Sequence, residues 1–190
     1  MNSLVPEVLK FWFGEGAEYG KAHKRWFEKD PSFDAAVARH YRALHGEMLA
    51  GGHRDWLQQP RPCLARIIVL DQFPRHIHRG TAAAFASDPL ALEAARHLVE
   101  RGWDGDLLPV ERMFAYLPFQ HSESLADQVR SCELYTPLQA FPETADTMRY
   151  AIAHRDIIQR FGRFPHRNAA LGRPSTPEEI EFLKQPGSGF

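Results

Sequence analysis

The densest chemistry in this sequence lies between Arg160 and Arg173, where Arg160, Arg163, Arg167 and Arg173 occur with His166 and without a single acid or lysine. Phe161 and Phe164 interleave with the cations, and Asn168 follows them. A solvated basic face is usually mixed with lysine and glutamate. Arginine's planar fork instead suits bidentate capture of a carboxylate or phosphate, a geometry lysine does not reproduce. The segment therefore calls for an anion, either a carboxylate of the protein or a bound ligand.

Asp71 is the internal candidate. It falls three residues after Ile68 and four after Ile67, so it continues an apolar helical stripe. A carboxylate there must be paired, hydrogen-bonded or neutralised, because burying it alone costs several kcal/mol. Its expected partner is Arg163 or Arg167. Gln72 and Arg75 follow on the same stretch. A third cluster runs Leu117-Pro118-Phe119-Gln120-His121-Ser122-Glu123, then Asp127-Gln128. His121 and Gln128 share a helical face if one helix spans both, with Ser122 a possible N-cap. His121, Glu123, His154 and Asp156 invite a metal, but there is no Glu-x-x-His pair, no His-Glu-x-x-His and no paired cysteines, so none is expected. Nor is a cofactor: the Walker loop, the Gly-x-Ser-x-Gly elbow and a Gly-x-Gly-x-x-Gly after a strand are all missing.

The elements that must position these residues read as helices throughout. Asp30-Pro31 pairs an N-cap acid with proline at the first helical position, and the pattern runs to Leu49 before Gly51-Gly52. Ser87-Asp88-Pro89 opens another helix, which Gly102 is placed to close. Ser175 and Thr176 precede Pro177, with Glu178 and Glu179 three residues after each, giving two chances of a capping box. Leu64 to Phe73, Ser122 to Tyr135 and Thr144 to Phe161 complete the set, and Leu64, Ile67 and Ile68 on one stripe with Val69 and Leu70 on the other side predict a central helix. Proline or glycine punctuates the junctions, Pro74, Pro118 and Pro165 among them. The expectation is an all-α fold of eight or nine short antiparallel helices in a tetratricopeptide-like array or bundle. Residues 1–185 form one domain, and 186–190 a frayed tail.

The composition narrows function by exclusion. The chain has 190 residues, 44% hydrophobic and 25% charged, which fits one packed domain. With 23 basic against 24 acidic residues it lacks the basic excess of a nucleic-acid binder. Two cysteines, Cys63 and Cys132, make no disulfide framework. Glu7 and Lys10 interrupt the N-terminal apolar stretch, which lacks the basic start of a signal peptide. No apolar run approaches the ~20 residues of a membrane span. A cytoplasmic protein is expected.

Five segments carry a resemblance covering nearly the whole length: Val8-Leu9-Lys10-Phe11-Trp12-Phe13-Gly14, Leu70-Asp71-Gln72-Phe73-Pro74-Arg75, Phe85-Ala86-Ser87-Asp88, Leu117 to Glu123, and Phe161-Gly162-Arg163-Phe164-Pro165-His166-Arg167-Asn168. The chain resembles the bacterial family known as domain of unknown function 924. The resemblance implies membership of the tetratricopeptide-like helical superfamily and carries no settled activity. The sequence departs from the family pattern at His76 and His78, where asparagine and then an aromatic are expected.

Two functional expectations follow. In the first, Asp71, Gln72, Arg75, His121, Arg163, His166, Arg167 and Asn168 line a pocket for a small anionic molecule. His121, His166 or Asp71 would supply any acid–base chemistry, since imidazole titrates near neutrality. In the second, the same residues form a structural network within a module that receives a peptide or protein partner.

Overall fold

The computed structural model describes residues 4–189, so Met1 to Ser3 and the last residue of the expected tail lie outside it. Among the described residues there are helices and no strand. Helix α1 is Leu4–Phe13, α2 Pro31–Leu49, α3 Pro60–Ile67, α4 Phe73–Ile77, α5 Asp88–Glu100, α6 Pro109–His121, α7 Leu125–Tyr135, α8 Thr147–Phe161 and α9 Pro177–Leu183. Asp30 and Thr176 cap their helices as their types require, while Ser87 makes no side-chain cap bond to α5. The Asp30 carboxylate accepts from the backbone N–H groups of Ser32 (2.8 Å) and Phe33 (3.2 Å) at the start of α2. Of the two possible capping boxes before α9, Thr176 with Glu179 forms: the Thr176 hydroxyl accepts from the Glu179 N–H, and the Glu179 carboxylate accepts from the Thr176 N–H. Ser175 instead accepts from the Asn168 side-chain amide at 3.0 Å. Gly162 ends α8 in the left-handed region (φ +69°), which glycine adopts without strain.

The central helix departs from expectation in an instructive way. It does not end at Phe73-Pro74. A π turn, Ile68–Gln72, joins α3 to α4 in one continuous rod, with the Phe73 N–H donating five residues back to the Ile68 carbonyl. Every residue of the π turn is buried. Pro74 has no N–H to offer the Leu70 carbonyl four residues earlier. The Ser87 hydroxyl, at the start of α5, donates to that carbonyl instead (2.6 Å), and His45 Nε2 lies 3.0 Å from Ser87 Oγ. Because the single hydroxyl proton goes to Leu70, the imidazole must be the donor in the second bond. Ser87 is thus a brace for the turn that carries Asp71. Ser87→Ala leaves the Leu70 carbonyl and the His45 N–H without these bonds, and urea unfolding should register a loss of about 1–3 kcal/mol. A change below the error of the measurement would show that the turn holds without the brace.

Pro118 likewise lies inside a helix, α6, rather than between helices. His121 and Gln128 do not share a helix face, because the turn at residues 122–124 separates α6 from α7. Gln128 reaches back across that turn, its amide donating to the carbonyls of Gln120 and Ser122 at 2.7 Å each, and so closes the end of α6. Ser122 is not the N-cap of α7; its hydroxyl donates to Asp127 at 2.7 Å.

The core is aromatic at one end. Trp12 packs edge-on to Phe114 (5.4 Å between centroids), and Tyr41 stacks on Phe73 (4.5 Å). A smaller cluster of Ile157, Ile158 and Phe164, with Phe161 and Phe182 against it, ties α8 and α9 together. Cys63 and Cys132 are buried free thiols.

Candidate functional site

Asp71 is fully buried, and three neighbours use its oxygens. His121, on the last residue of α6, places Nδ1 2.8 Å from Asp71 Oδ1. The Gln72 amide donates to Oδ2 at 2.5 Å. Arg75 Nη1 stands 3.4 Å from Oδ1 and donates to the Asp71 backbone carbonyl. Burial alone would raise the carboxyl's pKa, but Arg75 and His121 hold it well below the usual carboxylate range. An ionised carboxylate only accepts, so His121 Nδ1 carries a proton and the neutral ring keeps its lone pair on Nε2. Burial and then Arg75 push the His121 pKa below its ordinary value, overcoming the pull of Asp71. This is a neutral imidazole oriented by a carboxylate.

Asp88, at the start of α5, is the second anion. Arg75 grips it with both ends of its fork, at 2.9 and 3.1 Å. Arg167 reaches the same carboxylate through Nη1 alone, at 3.3 Å. The Arg167 guanidinium lies over the rings of Phe85 (4.7 Å) and Phe164 (4.5 Å), and its Nε is buried without a hydrogen-bond partner. Burial and the neighbouring Arg75 bring its pKa down to about 10. Asp71 has no exposure, while the side chains of His121, Arg75 and Asp88 retain 14%, 20% and 18% of theirs.

The remaining arginines of the basic run find other anions, which corrects the expected Asp71 clamp. Arg163 is bidentate on Glu179 (2.7 and 2.8 Å), and Asn168 donates to the same carboxylate at 3.3 Å. Arg160 pairs with Glu178, and Arg173 with Glu123 at 2.7 and 2.9 Å. Arg163 and Asn168 therefore bind α9 to the segment after α8 and do not meet Asp71. Arg163 and the capped Thr176 N–H keep Glu179 down at about 2.

His166 packs beside Phe164, with 5.5 Å between ring centroids and within electrostatic reach of Arg167 and His121, and a side chain at Gly189 would meet its Cβ at 3.4 Å. Burial and Arg167 lower its pKa to about 4. Three residues of the cluster were not singled out as site residues from the sequence. Asp88 reads there as a helix start and, with Phe85, as part of a family segment, and His154 only as a weak metal candidate. His154 sits 6.3 Å from His121, its Nδ1 donating to the Tyr150 carbonyl at 2.8 Å, and burial lowers its pKa to about 3. Among the described residues no three His, Cys, Asp or Glu side chains are grouped to hold a metal ion.

The fold is all-helical, with a π turn beneath the Asp–His–Arg cluster. The family model described as "Bacterial protein of unknown function (DUF924)" matches residues 8–187, and the chain belongs to that family. It is also similar to a solved protein of unknown function from Agrobacterium tumefaciens, 39% identical, with a TM-score of 0.85 over 96% of this chain and 97% of the other. Comparison with curated proteins finds no match. Among the described residues no helix is long and apolar enough to cross a membrane.

Proposed function

We propose that the cluster of Asp71, Arg75, Asp88, His121 and Arg167 binds a small anionic molecule, with His121 as the acid–base group facing it. The observation that carries this reading is Arg167. A guanidinium buried to 7% exposure shares one carboxylate with Arg75, engages it by one long contact, and leaves Nε unsatisfied. Such a group gains charge-assisted hydrogen bonds from an arriving anion. His121 supplies the complementary chemistry. Asp71 fixes its tautomer, its depressed pKa keeps it neutral near pH 7, and a neutral Nε2 can take a proton from a bound nucleophile. Gln72 then holds the orienting carboxylate, while His166, beside Phe164 and Arg167, borders the cluster. The buried, reduced cysteines suit a reducing compartment such as the cytoplasm.

A thermal-shift panel of inorganic phosphate, dicarboxylates and nucleotides tests the proposal. An anion at about 100 times its Kd stabilises the fold by ~2.7 kcal/mol, a rise of roughly 5–11 °C for a chain of this size. Arg167→Met keeps the stem packed between the phenylalanines and should abolish the rise. Flat melting across the panel would sink the reading.

One observation favours the alternative, a tetratricopeptide-like interaction module with these motifs as its internal struts: Arg160, Arg163 and Arg173 are all paired with carboxylates of the chain. On that reading Arg167→Met is neutral or stabilising, as replacement of buried ions by apolar groups often is.

A further inference from the structure

A cleft of about 540 Å³ lies away from the Asp71 cluster, between the turn Arg54–Gln58 and the end of α5, and is lined by Arg54, Asp55, Gln58, His97, Arg101 and Trp103. Its two arginines have no carboxylate partner: neither Arg54 nor Arg101 lies within ion-pair distance of a carboxylate among the described residues, although most other arginines of the chain are bonded. The Arg101 guanidinium instead lies over the Trp103 ring at 5.8 Å, and His97 meets that ring edge-on at 5.4 Å. Gly102, between them in the left-handed region at φ +67°, turns the chain so that Arg101 and Trp103 both line the cleft.

The backbone beside the cleft is strained. His53, the residue before Arg54, is the one non-glycine residue with positive φ among those described (φ 54°, ψ 36°). A buried arginine holds it there: Arg66 Nη1 donates to the carbonyls of Gly52 (3.0 Å) and His53 (3.2 Å). The His53 ring is fixed in turn by Glu47 at 2.8 Å and by the buried Trp56, 5.5 Å away. A residue kept in a costly conformation by surroundings that over-determine it is a mark of a preorganised site. Its consequence here is the placement of Arg54 at the first position of the turn.

We infer that this cleft binds a nucleoside monophosphate. Two unpaired guanidinium groups match a phosphate monoester dianion. Asp55 only accepts, so it selects hydroxyl or amino donors, and Gln58 can do either. His97 donates Nε2–H to the Leu57 carbonyl at 2.9 Å, which fixes its ring at the wall of the cleft. Trp103 supplies aromatic surface for a planar base. The volume far exceeds a free phosphate and falls in the range of pockets for nucleotide-sized ligands. An adjoining cleft of about 310 Å³ shares Leu57 and His97 and is lined by Glu93, Glu100 and Arg96, the last already paired with Asp127 at 2.6 Å, so the anionic end of the ligand belongs with Arg54 and Arg101.

This site is independent of the Asp71 cluster, and the test separates them. Isothermal titration of the whole protein with AMP should show saturable one-to-one binding with Kd below about 1 mM. Arg54→Ala and Arg101→Ala, both at exposed positions, should each weaken it at least about tenfold while far-UV dichroism and Tm stay unchanged. Ribose 5-phosphate should bind at least about tenfold more weakly than AMP. The Arg54→Ala/Arg101→Ala double variant should keep any anion response that depends on Arg167. No saturable heat up to ~10 mM AMP, or equal binding of ribose 5-phosphate, overturns the inference. AMP binding lost in Arg167→Met but kept in the double variant also overturns it, while upholding the other site.

Discussion

Asp71→Ala is expected to lower stability by about 3–5 kcal/mol, which for a chain of this length is a fall in Tm of roughly 6–20 °C. The cause is not one lost bond. Asp71 receives the His121 imidazole, the Gln72 amide and part of the Arg75 charge in a site without exposure of its own. Its removal leaves two buried donors without acceptors. It also leaves Asp88 as the one carboxylate facing both Arg75 and Arg167. Because a domain of ordinary stability has only about 5–15 kcal/mol in hand, a loss of this size threatens folding itself. Asp71→Asn separates the two roles of the residue. It preserves shape and one acceptor oxygen while removing the charge, so it should cost markedly less than alanine. It should also push the His121 pKa lower still, since Asp71 is what pulls it upward. Melting curves for both variants check the order. If Asp71→Ala melts within 2 °C of the parent, roughly 1 kcal/mol, the carboxylate is not the keystone its contacts describe.

The same substitutions bear on function. A structural network predicts that binding is lost only in proportion to folding. A site predicts that Asp71→Asn, folded and stable, has already lost anion binding or acid–base chemistry, because His121 is then oriented by a weaker acceptor. The comparison is meaningful only because Asp71 and His121 are joined directly, 2.8 Å apart, while being fifty positions apart in sequence.

That separation also explains what the sequence discloses and what it hides. Helix starts are local events, so Asp30, Thr176 and Asp88-Pro89 reveal them without any knowledge of the fold. The anomaly of Asp71 is likewise legible, because an acid in an apolar stripe violates a local period. Its partners are not. Arg75 lies only four residues along the same rod, but it reads as lying beyond a helix end because Pro74 resembles a stop. The helix continues through Pro74 because Ser87, seventeen positions away, bonds the carbonyl that proline cannot. No local pattern announces that bond. Similarly, the basic run announces a need for anions without naming them. Glu178 and Glu179 come from α9, Glu123 from the turn after α6, and Asp88 from α5. Asp88 does not read as a site residue, because a helix-start acid has an adequate local explanation, though here it carries two arginines as well.

Acidification from pH 6.5 towards pH 4 should destabilise the protein steeply, before any buried carboxylate is protonated. Burial is the first cause in each relevant histidine. His154 is held at about 3, with His121, Arg167 and His166 adding to the effect, and His166 at about 4, with Arg167 and His121 adding. His121, His45 and His76 are lowered as well. In the unfolded chain each titrates near 6.5, so below that pH the unfolded state takes up protons that the native state refuses. Stability is therefore present in full above pH 6.5 and drains away as pH falls towards the folded-state values. A single such histidine contributes up to about 1.4 kcal/mol per pH unit, and His154 with His166 up to about 2.7. Asp71 acts in a separate, lower window: its depressed carboxyl loses stability as pH falls through about 3.8, where unfolded aspartate is half protonated, towards its lower folded value. Urea unfolding at half-unit steps from pH 7.5 to 4.5 measures the slope. His154→Phe, which keeps a ring beside Phe164 but cannot titrate, should reduce it by about 1.4 kcal/mol per pH unit. A stability profile level between pH 6.5 and 5 would mean that these imidazoles take up protons in the fold as freely as in water. It would also remove the reason for His121 to stay neutral, and with it the base on which the proposed chemistry depends.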